Sequence, residues 1–248
     1  GYRCQVMSRK SLILCLALVA VMILGVGAAV AVLYSDSDGR TSRGGNVVPD
    51  QERYLLLPAV PADAVLVACM HEVKEACGGV LSGFAFPDSL HSRLQSMKSI
   101  ASAPMTASLH YSGSIHALYV FDAGKASEQP SEDASALMDL ASVMGLYSDY
   151  VDCSSVTDGS RDVARRSLVL VSDSETLVKS SRRHLEKSIS VMDASGFAEA
   201  SSSVSGNNVI FFSNPHAKML MSEMFTKKYA AHNPFISTLA QWTVADIT

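Results

Sequence analysis

The chain has 248 residues, 48% of them hydrophobic, with a mean hydropathy of +0.20 and a formal net charge of −4. An acidic balance with a pI near 6.0 gives no electrostatic footprint for nucleic acid and argues against that class of partner. The apolar excess is concentrated near the N-terminus and leaves roughly 210 further residues, enough for one sizeable core or two small ones.

Gly1-Tyr2-Arg3 opens the chain, and the first methionine is Met7, followed by Ser8-Arg9-Lys10 and then the apolar run. A short basic stretch before an apolar core is how export and anchoring segments begin. Met7 is therefore the expected initiator, with residues 1–6 upstream of it. Over 12–34 about 23 residues pass without a charge, which is about 34 Å of helix at 1.5 Å per residue. A bilayer core of about 30 Å needs about 20 such residues, whereas a cleavable signal has an apolar core of only about 7–15. The reading is an uncleaved transmembrane anchor over 11–34, in contact with the lipid bilayer through residues 12–34. Ala29-Val30-Ala31 fits the small-x-small pattern of a cleavage site, so a soluble exported protein cut after Ala31 is the alternative. Cys15 lies at the start of the run rather than its end, which argues against a lipoprotein. "GVGAAV" (25–30) has no strand before it, which argues against a dinucleotide fingerprint.

Arg9 and Lys10 precede the span, while Asp36 and Asp38 follow it ahead of Arg40 and Arg43. Positive charge prefers the cytoplasm. Residues 1–10 are thus a cytoplasmic stub, and everything after the span is placed in the periplasm or outside. Residues 35–53 are polar, rich in Gly and Ser and without periodicity, and read as a flexible linker. The exported domain is expected over 54–248, cut at its C-terminus, because "STLAQWTVADIT" closes inside an apolar, strand-like stretch.

Within that domain, 64–70 reads as a buried strand, 71–81 as a helix and 88–100 as a second helix capped by Asp88 or Ser89. Leu109, Tyr111, Ile115, Ala117, Tyr119 and Phe121 alternate about Ser112-Gly113-Ser114, which predicts a hairpin. A helix follows in "SEDASALMDLASVMGLY", with Leu137, Met138, Leu140, Ala141 and Met144 on one face and Gly145 ending it. "SDYVDCSSV" and "RRSLVLVSD" are the next strands, on either side of a turn at Asp158-Gly159.

Two later segments share a design: a short apolar strand, then Ser-Asp or Ser-Asn, then a helical pattern. Asp173 and Asn214 are the expected caps, and Pro215 falls at the first helical position. Asn233-Pro234 repeats the start signal. A short helix and a loop lie between the two units. Strands alternating with helices plus an early hairpin predict an α/β domain, with a mixed β-sheet of six or seven strands, packed helices and one N-terminal transmembrane helix.

"SETLVKSSRRHLEKSISVMDASGFAEA", "VIFFSNPHAKML" and "LAQWTVADI" resemble a family of long, single-anchor bacterial envelope proteins known only as a domain of unknown function. The resemblance covers the chain from Pro58 onward. It implies envelope location and a further C-terminal region, and it carries no catalytic residues to this chain.

The residues supply no pattern for a catalytic, cofactor or metal site. Cys69, Cys77 and Cys153 lie outside the apolar run, and the better reading is small core residues. Cys69-x-His71-x5-Cys77 matches no zinc spacing, and "HEVKE" has Glu75 where a zinc protease needs its second histidine. Gly-x-Ser-x-Gly and the phosphate-binding Gly-x4-Gly-Lys-Ser/Thr loop are both absent. The serines of "SGSIH" and "VSGNN" read as turn residues. His110 and His116 flank the hairpin turn on one face and read as partly exposed strand histidines, with a pH-responsive surface pair as the sharper alternative. Lys179, Arg183 and Lys187 recur every fourth residue with Arg182 beside them, an interaction surface for anionic headgroups or an acidic partner if not an ordinary solvated face.

The expectation is a membrane-anchored, non-enzymatic envelope protein whose exported domain binds or scaffolds an envelope partner, without cofactor, metal or nucleic acid. A hydrolase with its active site beyond Thr248 is the second reading.

Overall fold

The computed structural model describes residues 54–73, 94, 96–155, 166–204, 206–216 and 241–247. The described elements begin with a 3-10 turn, Leu57–Ala59, whose Leu57 and Ala59 are buried. They continue with β1 (Ala64–Met70), a short helix α1 (Lys98–Ala101), β2 (Met105–Tyr111) and β3 (Ile115–Lys125). Helix α2 (Glu132–Val143), β4 (Tyr147–Asp152), β5 (Arg166–Ser172) and helix α3 (Glu175–Lys187) come next. A 3-10 turn (Val191–Asp193), helix α4 (Phe197–Ser202), β6 (Asn208–Ser213) and β7 (Trp242–Ile247) complete the order.

The strands form one seven-stranded sheet, ordered β4-β5-β3-β2-β1-β6-β7, with the helices packed on it. The α/β layering and the hairpin follow the sequence periodicity. The expected mixed pairing does not: every pairing among the described strands is antiparallel. The reason lies in where the helical crossovers land. β3 and β4 run in the same direction, as strands joined through a helix should, but β5 sits between them and is antiparallel to both. β6 likewise runs in the direction of β5, yet it lies on the far side of β3, β2 and β1 and pairs antiparallel with β1.

Register fixes which side chains share a face. Leu118 lies opposite Ser108, Ser108 opposite Val67 and Val67 opposite Phe211, so these four form a row on one face. On that face Leu177, Val178 and Leu185 of α3 cluster with Leu118, Val120, Leu168 and Leu170. Further along, Phe197 of α4 packs among Val67, Val209, Phe211 and Trp242, with the Phe197 and Trp242 rings edge to face at 5.0 Å. Helix α2 touches β4 and β5 through other partners than this cluster and covers the opposite face, burying Ala134, Leu137, Leu140 and Ala141. Both faces of β5 are therefore sealed, which is why its central residues 168–171 are an unbroken apolar run, with each buried Leu or Val contributing about 1.5–3 kcal/mol.

Local signals behave as their chemistry requires. Ser131 caps α2 by accepting the Ala134 N–H, and Gly145 at φ 72 ends it, letting the Leu146 N–H reach the Ala141 carbonyl at 2.9 Å. Met138 and Met144 are half-buried beside its core stripe. At α3 one expectation is corrected. Ser174, not Asp173, is the cap and accepts the Leu177 N–H, because Asp173 is already held by the hairpin. Asn214 starts a helical turn but its side-chain amide donates to the Thr243 hydroxyl at 3.1 Å, tying β6 to β7. The anchor and linker over 1–53, the helix after Val73, most of the helix over 88–100, the Asp158-Gly159 turn and the helix at Pro234 lie outside the described residues. No helix among the described residues is long and apolar enough to cross a membrane.

Candidate functional site

In a strand, residues two apart point to the same face, so a Ser-x-His sequence sets a hydroxyl beside an imidazole. The hairpin contains that sequence twice. On β2, Ser108 Oγ lies 2.9 Å from His110 Nε2, and His110 Nδ1 lies 2.9 Å from Asp63 Oδ1. At the turn and on β3, Ser114 Oγ lies 2.7 Å from His116 Nε2, and His116 Nδ1 lies 3.2 Å from Asp173 Oδ2. His110 and His116 are themselves cross-strand partners, so the two arrays stand side by side at one end of the sheet.

In each array a carboxylate accepts from Nδ1–H, which leaves Nε2 as the acceptor for the serine hydroxyl. That is the tautomer and orientation in which an imidazole can take a proton from a serine. Asp173 is fixed in this position by the backbone, since its Oδ1 accepts the Ala117 N–H at 3.0 Å while Oδ2 faces the ring. The carboxylate thus comes from the end of β5 and the histidine from the start of β3, neighbours only because those strands pair.

Access separates the two arrays. Ser108 and His110 are 1% and 4% exposed, enclosed beneath the core face. Ser114 is at the surface, and the side chains of His116 and Asp173 are 26% and 46% exposed. The hydrogen bond from His110 holds the Asp63 carboxyl below its usual value of 3.8, overcoming a partial desolvation that raises it. His216 completes the polar end of the sheet, its Nδ1 3.1 Å from the Ser213 hydroxyl and 3.3 Å from the Ala64 carbonyl.

The opposite end of the sheet carries a cleft of about 330 Å³, lined by His71, Ser102, Pro104, Asp122, Gly124 and Arg166 among others. A bulge between Asp122 and Lys125 forms its floor, with Gly124 at φ 95, a conformation that favours glycine. Asp122 is buried, accepts the Gly124 N–H at 2.9 Å and pairs with Arg166 Nη1 at 2.8 Å. Burial raises its carboxyl, opposed by the Gly124 hydrogen bond and the Arg166 charge. This pair is a self-satisfied unit within the cleft.

The basic residues read from the sequence are divided by their partners. Lys179 pairs with Glu175 at 2.7 Å, and Arg182 pairs with Asp149 at 3.0 Å and Glu186 at 3.3 Å. Arg183 and Lys187 are exposed and have no ion-pair partner among the described residues. Just beyond them, Ile189 and Met192 leave large apolar surfaces in solvent. Cys69 and Cys153 are buried and form no disulfide with each other, and burial pushes the Cys153 thiol up to about 12, so Cys153 is an inert core residue. Cys77 lies outside the described residues. Among those residues no three His, Cys, Asp or Glu side chains are grouped as metal ligands.

His110 and His116 share a face, as the alternation predicts, but His110 is buried rather than partly exposed. Ser114, which reads from the sequence as a turn residue, and Asp173, which reads as a helix cap, are the partners of His116. The only local signal for either array is Ser-x-His repeated on either side of a turn. Compared with known proteins, the chain matches no family model, no curated protein and no solved structure.

Proposed function

We propose that this is a membrane-anchored extracytoplasmic protein whose α/β domain serves as a binding module held outside the membrane. The observation that carries the reading is the uncharged run over 12–34, long enough to span a bilayer, with basic residues before it and a polar linker after it. The organisation of the described domain agrees with that role. Among the described residues, β5 at the sheet is packed by a helix on each face and its apolar side chains are buried.

The partner-binding surface is assigned to Arg183 and Lys187 with the adjoining Ile189 and Met192. Cations with no ion-pair partner among the described residues, followed in sequence by exposed apolar side chains, suit an acidic envelope protein, giving both charge attraction and desolvated contact. Lys179 and Arg182, neutralised by their own carboxylates, contribute less.

Expression from Met7 in a bacterial host, followed by carbonate extraction and intact-mass measurement, tests the reading. The expected product is an unshortened chain that stays in the membrane pellet. A soluble product lacking residues 7–31 would replace the anchor with a cleaved signal.

A further inference from the structure

We propose that Ser114, His116 and Asp173 form a solvent-facing nucleophile site that accepts acyl groups from small, unhindered activated esters and phosphonyl groups from fluorophosphonates. The inference goes beyond the membrane-anchored binding reading and is independent of it.

Three observations meet at the hairpin tip. The connectivity is complete, from hydroxyl to Nε2 at 2.7 Å and from Nδ1 to carboxylate at 3.2 Å, so the imidazole is oriented to take the serine proton. The carboxylate is fixed by a backbone N–H from Ala117, which keeps Asp173 in place while His116 changes charge. The tip is open: a Cβ built on Gly113, next to Ser114, meets nothing within 4 Å, so an acyl donor can approach the hydroxyl. The second array has the same connectivity but its serine is sealed, and it supplies an internal control.

The step is an ordinary substitution. Ser114 Oγ attacks the ester carbonyl carbon, forming a C–O bond, and its proton passes to His116 Nε2. Collapse of the tetrahedral adduct breaks the bond to the leaving oxygen, which departs as an alcohol with the proton from Nε2. Water then attacks the acyl carbon and gives its proton to the same nitrogen. A new C–O bond forms, the bond to Ser114 Oγ breaks, the proton passes from Nε2 back to Oγ, and the acid leaves. Asp173 touches neither substrate nor nucleophile and is a positioning residue. With no enclosing walls at the tip, selection follows reactivity rather than shape, so activated esters and small acyl groups are the substrate class.

A fluorophosphonate tests the site because the serine must displace fluoride: an O–P bond forms, the P–F bond breaks and the proton goes to His116. The full chain in detergent is treated with the reagent and digested, and the adduct is located by mass spectrometry. The expected result is one adduct, on Ser114, absent in Ser114→Ala and formed roughly 10²-fold more slowly in His116→Ala, the scale of general-base assistance. Asp173→Asn should slow it while leaving circular dichroism unchanged. Labelling that is absent, equally fast in folded His116→Ala, or spread over several surface serines would overturn the proposal. A folded Ser114→Ala chain, checked by the same spectrum, separates loss of nucleophile from loss of fold.

Discussion

The two Ser-His-Asp arrays are built from one pattern and differ in almost nothing but depth. Both take their serine and histidine from Ser-x-His in the hairpin, and both recruit the carboxylate from elsewhere in the chain. Around Ser108 and His110 the hydroxyl and ring are removed from water, so the array acts as a satisfied polar element inside the fold. Around Ser114 and His116 the same bonds are exposed, contribute little to stability, and leave a hydroxyl where a reagent can meet it. Position along the hairpin, nearer to the turn, converts a structural network into a candidate site.

Several changes would break or sharpen that contrast. The largest effect is expected for His110→Ala, which leaves Ser108 without its partner and opens space under the sheet. Chemical denaturation should show a loss of about 2–4 kcal/mol. His116→Ala, removing exposed bonds of the same kind, should cost less than about 1 kcal/mol in the same assay. Equal losses would mean that burial does not distinguish the arrays.

A smaller difference is expected where β5 runs into α3. Ser174→Ala removes the cap and should cost about 1 kcal/mol. Asp173→Ala should cost less, since Asp173 serves the hairpin rather than the helix. The reverse order would restore Asp173 as the cap.

The smallest effect concerns pH. The Asp63 carboxyl is held below 3.8 by the His110 hydrogen bond, so it titrates at lower pH in the folded than in the unfolded chain. Its stabilisation is present above the unfolded value and is lost as pH falls through the lower folded value. Denaturation followed from about pH 5 down to about pH 2 should therefore show a shallower decline in Asp63→Asn than in the parent chain. Because the Asp63 side chain is 68% exposed, solvent screening keeps the difference small. A parallel decline in both proteins would remove Asp63 from the acid response.

Much of this is legible in the residues themselves. The alternation about Ser112-Gly113-Ser114 specifies the hairpin and puts His110 and His116 on one face. The apolar stripe of α3 places Leu177, Val178 and Leu185 in the core, where they are found. What periodicity does not encode is which strands become neighbours. The crossovers through α2 and α3 give the direction of the next strand but not its place in the sheet, so antiparallel insertion of β5 between β3 and β4 is hidden. The same blindness conceals the site. Asp173 and His116 are separated by 57 positions and meet only through the pairing of β3 with β5, while a local rule offers Asp173 a simpler role as a helix cap. The burial of His110 escapes for a related reason, since strand alternation gives a face and not a depth.

The most direct measurement of the contrast is the rate at which diethyl pyrocarbonate modifies each histidine, read peptide by peptide in the native full chain and again after unfolding in urea. The account predicts rapid native modification of His116, protection of His110 until the chain unfolds, and comparable rates for the two in urea. Native modification of His110 as fast as His116 would place both arrays in solvent and contradict it.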